Sequence, residues 1–468
     1  MDHQIIDRLK NALGSDKVLT DTASLQLRAH DYWVVANLRS WRGDDLPVPG
    51  CVVRPTSVED VQTIVRQATE TKTPLMPFGL GSGVCAGVAP DAGVILLDLS
   101  GLNRTRYIDD TNMLASFDAG KNGLEAEQDV AKQNLTIGHW PQSIALSSVG
   151  GWVSTRASGQ FSTAYGNIED IVYDIEAVLP NGDLVTLGKA PRAAAGPDLR
   201  HILMGAEGTM GVITGVTLSL RNAAEKRAFS AFYAPSMAAG FEMQRQLVQA
   251  DWHPPVMRQY DWPEVDRLFK DHLRGEDALL LMVHEGPASR VDAERAATDE
   301  IAKRLGLTNA DASVAEHWLE HRNHVPNWQD LFEQTIIADT VEVAAKWTEI
   351  NAVYEATVAA LKEVLGVVNA SAHSSHVYQT GINLYFTFAA LNDDPQEMEK
   401  IYFECWDRVM TATAKNGGGI AHHHGVGRLR KSYLTHDLGD NGVALLRTVK
   451  SAVDPAGIMN PGNLIPEG

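Results

Sequence analysis

His422, His423 and His424 are adjacent in the chain. In an extended strand neighbouring side chains alternate, so two of them share a face and the third does not; in a turn all three converge. Consecutive histidines chelate a metal poorly for steric reasons. No carboxylate or cysteine pattern supports them, so no metal site is expected. Grouped imidazoles suit hydrogen bonding and general-base work near neutral pH. A structural cluster donating to backbone carbonyls is the alternative. Tyr385 lies in the aromatic run 384–388. It reads either as a core aromatic or as an acid/base at a substrate hydroxyl. A phenol ordinarily titrates near ~10, so base duty demands a cationic or imidazole neighbour, and the histidine tract is the candidate. Arg258 sits in the apolar run 256–260. A guanidinium there suits a carboxylate or phosphate, with a surface salt bridge as the other reading. His373 and His376 read as loop residues, with remnants of a metal-binding motif as the other reading.

Glycines form a second chemical signal. Residues 77–84 run Pro77, Phe78, Gly79, Leu80, Gly81, Ser82, Gly83, Val84. Alternating glycines let consecutive backbone N–H groups point at an anion, because no Cβ blocks approach. The loop lacks the Lys-Ser/Thr of a nucleoside-triphosphate loop. It also lacks the following helix and the downstream acid of a nicotinamide-dinucleotide fingerprint. Two further segments, 147–167 and 207–213, are dense in small residues and poor in charge. Such segments suit backbone wrapped around a flat ligand, although tight core packing explains one of them equally well.

These residues need elements to hold them. Residues 60–72 read as a helix with Val61, Ile64, Val65 and Ala68 on one face. Short strands are expected at 75–78, 94–99 and 114–119, with a helix at 123–133. A strand at 171–179 is closed by the hairpin signal Asn181-Gly182, and another strand spans 211–220. Composition shifts after about 221. Strands at 227–233, 255–260, 278–285, 339–343 and 382–390 then alternate with helices at 236–250, 290–305, 347–365 and 396–416. That pattern predicts a sheet covered by helices. The tail holds a helix at 441–453 and a Pro/Gly-rich stretch that predicts a wrapped segment. The expected units are 1–225, 226–420 and a returning tail, 421–468.

The 468 residues carry a net charge of −19, which disfavours nucleic acid and anionic bilayers as partners. Three scattered cysteines fit no disulfide framework and suit a reducing compartment. No apolar run approaches the ~18 residues of a membrane span, and no signal peptide is evident, so a cytoplasmic protein is expected.

In this order, these motifs resemble the vanillyl-alcohol-oxidase type of FAD-binding flavoprotein, over nearly the whole chain. Residues 149–159, 165–170 and 422–431 resemble most closely the alkyldihydroxyacetonephosphate synthase group and its bacterial relatives. The resemblance implies an α+β fold: a two-part FAD-binding domain with an α/β cap over the flavin. It implies FAD contacts from Pro77, Gly79, Leu80, Gly81, Ser82, Gly83, Val84, Pro141, Ser143, Val149, Gly150, Gly151, Ser154, Thr155, Ser158, Glu207, Gly208, Gly211, Val212, Ile213 and Asn463. No histidine occupies loop 79–84, where some relatives attach the flavin covalently, so dissociable FAD is expected, with a covalent link from the tail histidine tract as the alternative.

The resemblance also implies the chemistry. FAD-linked D-lactate and D-2-hydroxyglutarate dehydrogenases often carry a metal pair in a GDGNLH-like motif, with a glutamate before the tail His-Gly. Here Tyr385 stands at the histidine position and His423 at the glutamate position, so metal chelation of a hydroxy acid is disfavoured. Tyr385 instead matches the tyrosine that the ether-lipid synthase places over its flavin. A cap arginine of that synthase aligns with Gln329, in the stretch Gln329, Asp330 and Leu331. The expectation is an FAD-dependent oxidoreductase that takes a hydride from an alcohol or 2-hydroxy acid to flavin N5. Tyr385 or one of His422, His423 and His424 takes the hydroxyl proton, and Arg258 anchors an anionic group of a small-molecule substrate. The alternative is a redox-neutral transferase working through a flavin adduct, as in the synthase. A homodimer is implied by the resemblance alone.

Overall fold

The computed structural model describes residues 3–467. The first sheet has four strands in the order Val18–Leu19, Cys51–Val53, Ile95–Asp98, Leu75–Phe78. The last three run parallel. Helix Val58–Thr71 makes the crossover and buries Val61, Ile64, Val65 and Ala68, the face that the spacing predicts. Ser57 caps it by accepting the Asp60 N–H, and Lys72 ends it in the left-handed region. This layer delivers Phe78 at the strand end, and the glycine loop follows at once.

The second sheet is antiparallel, in the order Thr105–Asp109, Leu114–Asp118, Val212–Ser219, Val172–Val178, Leu184–Thr186. The Asn181-Gly182 hairpin forms as expected, with Gly182 at φ +84°. Residues 149–155, read as wrapping backbone, are instead a short helix capped by Ser148, which accepts the Gly151 N–H. Its glycine is required by close approach. A Cβ on Gly150 would lie 2.9 Å from the Ala119 carbonyl oxygen, which accepts the Gly150 N–H.

The third sheet belongs to the cap. Its order is Thr308–Asn309, Lys226–Ala234, Ala278–Gly286, Val256–Tyr260, Val367–Ser374, Gly381–Leu391, Ile336–Lys346, with Val377–Tyr378 paired to Gly381–Leu391. Helices Met237–Gln249, Ala288–Arg304, Ile350–Lys362 and Pro395–Lys415 cover one face, burying Met257, Val341, Val343, Leu384 and Phe386 among their side chains. The strand Val367–Ser374 escaped the sequence reading, because Asn369, Ser371 and His373 interrupt any apolar run. The strand expected at 339–343 is twice as long, Ile336–Lys346.

Two segments cross between the units. Helix Val34–Trp41 lies early in the chain, yet Val34, Val35 and Leu38 join the cap core, and Trp33 donates to Tyr402 at 2.9 Å. Helix Leu434–Val453 breaks at Gly439, so the expected 441–453 helix is its second half. After it the chain pairs with Leu75: Leu75 N–H donates to Ile458, and Asn460 N–H donates back to Leu75, both at 2.8 Å.

Candidate active site

A cavity of about 300 Å³ lies where the two smaller sheets meet the cap. Loop 79–84 forms one wall. None of its backbone N–H groups donates to a protein acceptor. Buried donors are ordinarily satisfied, so a run of unspent ones calls for an anion such as a diphosphate. Glycine is needed at its start, since a Cβ on Gly79 would lie 2.5 Å from Ser148 Oγ.

Every residue expected to touch FAD lines this cavity except Val149 and Val212. Those two are wholly buried in the cores behind it. Their glycine neighbours face the ligand while the helix and the strand turn the valine side chains inward. Glu207 does more than line the wall. Its carboxylate accepts the N–H groups of Val426 (2.6 Å) and Gly427 (2.9 Å) and the Asn463 amide (3.1 Å). Its carbonyl accepts the Asn460 amide at 2.7 Å. The tail is thereby clamped to the cavity. Oδ1 of Asn460 and Oδ1 of Asn463 are buried without a partner and belong to lining residues. Unspent donors on one side and unspent acceptors on the other fit FAD, with its anionic diphosphate and its N–H-bearing ring.

The opposite wall is the face of the cap sheet turned away from its helix layer. Register brings four strands into one row: Glu342 faces Tyr385, Tyr385 faces His373, and His373 faces Tyr260. Paired residues of antiparallel strands share a face, so the row points away from the helix layer. His373 stacks on Tyr385 with ring centres 4.8 Å apart. His373, read as a loop residue, is instead on the strand Val367–Ser374 and stands behind Tyr385, while His376 lies in the short connection after that strand, as the loop reading has it. His376 is buried, lines the cavity, and its Nδ1 meets Ser162 Oγ at 2.6 Å and Ser158 Oγ at 3.0 Å.

The histidine tract is a bend, and its rings converge. Tyr385 Oη hydrogen-bonds to His423 Nε2. His423 Nδ1 meets His422 Nδ1 at 2.6 Å, and His422 Nε2 meets Tyr378 Oη at 2.7 Å. Tyr385, His423 and His424 line the cavity, whereas His422 stands behind His423. Burial, followed by Glu342, pushes the Tyr385 phenol well above its ordinary value. Burial holds His422 down at about 4 and, with help from His424, holds His423 well below the usual imidazole range. The imidazole neighbour that Tyr385 needs is thus present, and it is neutral: Tyr385 stays a phenol whose proton has a place to go.

Glu342 and Arg430 escaped attention in the sequence. Both side chains are fully buried, and they pair at 2.5 Å. Burial alone would raise the carboxylate, but the Arg430 guanidinium and then His424 outweigh it and hold it well below the usual range. Glu342 also accepts the His424 N–H at 3.0 Å, and His424 Nδ1 lies 2.7 Å from its Oε2. The available signal was a lone acid inside the apolar strand run 341–345.

Arg258 lines the cavity, the only lysine or arginine to do so among the described residues. Its Nε–H donates to Tyr260 Oη at 2.7 Å and its guanidinium carbon lies 5.1 Å from the Trp318 ring centre. No carboxylate pairs with it among the described residues, so the salt-bridge reading fails. The Gln329 stretch is on an exposed helix turn away from the cavity. Asp31 also lines the wall, unforeseen. It accepts the Gly87 N–H at 2.8 Å, and burial pushes it up to about 7.

Comparison with known proteins agrees. The FAD binding domain family matches residues 49–188, and the FAD linked oxidases C-terminal domain matches residues 223–464. An uncharacterized FAD-linked oxidoreductase of Escherichia coli O157:H7, YgcU, is 30% identical over 477 residues, covering 99% of this chain and 98% of that protein. Alkyldihydroxyacetonephosphate synthase of Dictyostelium discoideum is 27% identical over 451 residues, covering 89% and 73%. A solved structure of an alkyldihydroxyacetonephosphate synthase superposes with a TM-score of 0.82 at 23% identity, covering 98% of this chain and 85% of that one, a likeness of fold. With the two family domains in tandem and a cradle of unspent donors and acceptors between them, this chain belongs to the FAD-linked oxidases of the vanillyl-alcohol-oxidase type, and its cofactor is FAD.

Proposed function

We propose that this chain oxidises a small alcohol or 2-hydroxy acid bearing an anionic group. The carrying observation is one cavity that combines the cofactor loop, a phenol paired to a neutral imidazole, and an unpaired guanidinium. Bound FAD supplies the acceptor for the hydride leaving the substrate carbon. Arg258 binds the anionic group through the N–H groups that Tyr260 leaves free. Tyr385, its ring held by the stack of His373 and Tyr260 behind it, orients the substrate against Arg258. Tyr385 takes the hydroxyl proton while passing its own to His423 Nε2. A phenol held far above its ordinary pKa cannot wait as phenolate, so the two transfers are coupled.

The test is anaerobic bleaching of the yellow protein by a panel of D- and L-2-hydroxy acids and aryl and alkyl alcohols. Loss of the flavin band near about 450 nm with formation of a ketone or aldehyde is the expected result. A yellow protein that no donor bleaches sinks the reading. One observation favours a second reading, redox-neutral transfer at the flavin. Tyr385 and His423 occupy the positions that carry metal ligands in hydroxy-acid dehydrogenases, and Tyr385 matches the tyrosine of the synthase group. Under that reading substrate and product share one oxidation level.

A further inference from the structure

We infer that His422 and Tyr378 form a proton relay that carries the Tyr385 proton out of the cavity to the cap surface. The inference rests on the proposed role of Tyr385 as proton acceptor and extends it to two residues that do not line the cavity. Four side chains form an unbroken line: Tyr385, His423, His422, Tyr378. Donors and acceptors balance in a single direction. Tyr385 O–H donates to His423 Nε2. His423 Nδ1–H donates to His422 Nδ1, and His422 Nε2–H donates to Tyr378 Oη. Each imidazole uses one donor and one acceptor, as a neutral ring must.

A structural histidine would spend a nitrogen on a backbone carbonyl. Neither His422 nor His423 does so, and all four of their nitrogens meet ionisable side chains. His376 stacks on His422 at 5.0 Å, and nitrogens of His376, His422 and His423 lie within 4.8 Å of one another. That grouping resembles a metal site. The hydrogen bonds, however, already occupy both nitrogens of His422 and His423 and Nδ1 of His376.

Tyr378 is half-buried on the two-residue strand Val377–Tyr378, next to exposed Gln379. Its O–H donates to Asn167 Oδ1 at 3.2 Å and its oxygen accepts the Asn167 Nδ2–H at 3.1 Å, so the proton it releases is the one held against Asn167. In one turnover the substrate hydroxyl proton reaches Tyr385 Oη, and the Tyr385 proton reaches His423 Nε2. The His423 Nδ1 proton moves to His422 Nδ1, the His422 Nε2 proton to Tyr378 Oη, and the Tyr378 proton to water. One proton leaves, no residue gains charge, and the hydride electrons go to FAD. Both imidazoles finish in the opposite tautomer and regain the first before the next turnover. His422 and Tyr378 are positioning residues that act through His423.

Two measurements on the FAD-loaded full chain decide the matter. With 15N-histidine label, ring NMR at neutral pH is expected to show His423 as the Nδ1–H tautomer and His422 as the Nε2–H tautomer. Either ring in the other tautomer, or cationic, overturns the relay. This readout needs no substrate, so it holds even if the donor panel fails and takes the oxidoreductase reading with it. With a donor that bleaches the flavin, Tyr378→Phe is expected to slow bleaching at least about tenfold. It should also turn a bowed proton inventory in mixed H2O/D2O into a straight line. Tyr378→Gln keeps hydrogen-bonding atoms but cannot pass a proton, so it should be as slow as the phenylalanine variant. A glutamine variant with the wild-type rate and inventory would reduce Tyr378 to a hydrogen-bond partner and end the inference. Melting temperature and flavin absorbance, unchanged in both variants, exclude misfolding as the cause.

Discussion

At the scale of the residue, the chemistry rests on a proton acceptor and an anion anchor facing one cofactor. Tyr385→Phe removes the phenol and leaves the ring stacked on His373. We expect it to slow anaerobic flavin reduction by about 10²–10⁴, with FAD content unchanged, as read by stopped-flow absorbance. Arg258→Met removes the only guanidinium in the cavity wall among the described residues. It should raise KM for anionic donors at least tenfold, a loss of roughly 1.4 kcal/mol or more, and leave uncharged alcohols little affected. The histidine tract gives a pH prediction. His422 is held at about 4 by burial, so above that pH it is neutral and its Nδ1 accepts. As pH falls through about 4 the ring gains a proton and Nδ1 becomes a donor that repels the His423 N–H. Reduction should therefore show no inflection from His422 between pH 8 and 5 and should fall as pH drops toward 4. A pH profile of the reductive rate with a His422-dependent inflection near neutrality would contradict this.

At the scale of the element, the site is a row across a sheet, and a buried ion pair anchors its end. Glu342 and Arg430 are fully enclosed, so each neutralises a charge that could not otherwise be buried. Glu342→Leu or Arg430→Met alone strands the partner and should cost about 3–5 kcal/mol in urea unfolding, while the double variant should recover most of that loss. The strand Ile336–Lys346 shows why this pair was hard to read. Its alternation places Val341 and Val343 in the helix-covered core and Glu342 on the site face. The acid was visible in the sequence, but its partner lies 88 residues away. The helix Val58–Thr71 is the opposite case, because its buried face follows from local spacing alone.

At the scale of the whole molecule, the tail closes the structure. Glu207, just before the second sheet's strand Val212–Ser219, joins it to Val426 and Gly427 after the histidine bend and to Asn460 and Asn463 near the end of the chain. Glu207→Ala leaves two buried N–H groups and an amide without their acceptor. We expect a loss of about 1–3 kcal/mol, a lower melting temperature, and FAD released on gel filtration, which the flavin absorbance of the protein peak would report. No helix among the described residues is long and apolar enough to cross a membrane, and the three cysteines are buried and form no disulfide among the described residues.

Local chemistry was enough to read the hairpin at Gly182 and the face of Val58–Thr71, and it offered the glycine loop, Tyr385, Arg258 and the histidine tract as candidates that the family resemblance then favoured. Each depends on residues close together in the chain, where spacing and backbone freedom decide. Tertiary structure alone decided what those residues face. The register of Ile336–Lys346 and Val367–Ser374 against Gly381–Leu391 sets Glu342 and His373 beside Tyr385. The short connection 375–376 sets His376 in the wall, while the packing of 149–155 and of Val212–Ser219 leaves Val149 and Val212 behind it in the cores. Pairing between distant strands follows from burial and hydrogen bonding summed over the whole sheet, which no local window contains.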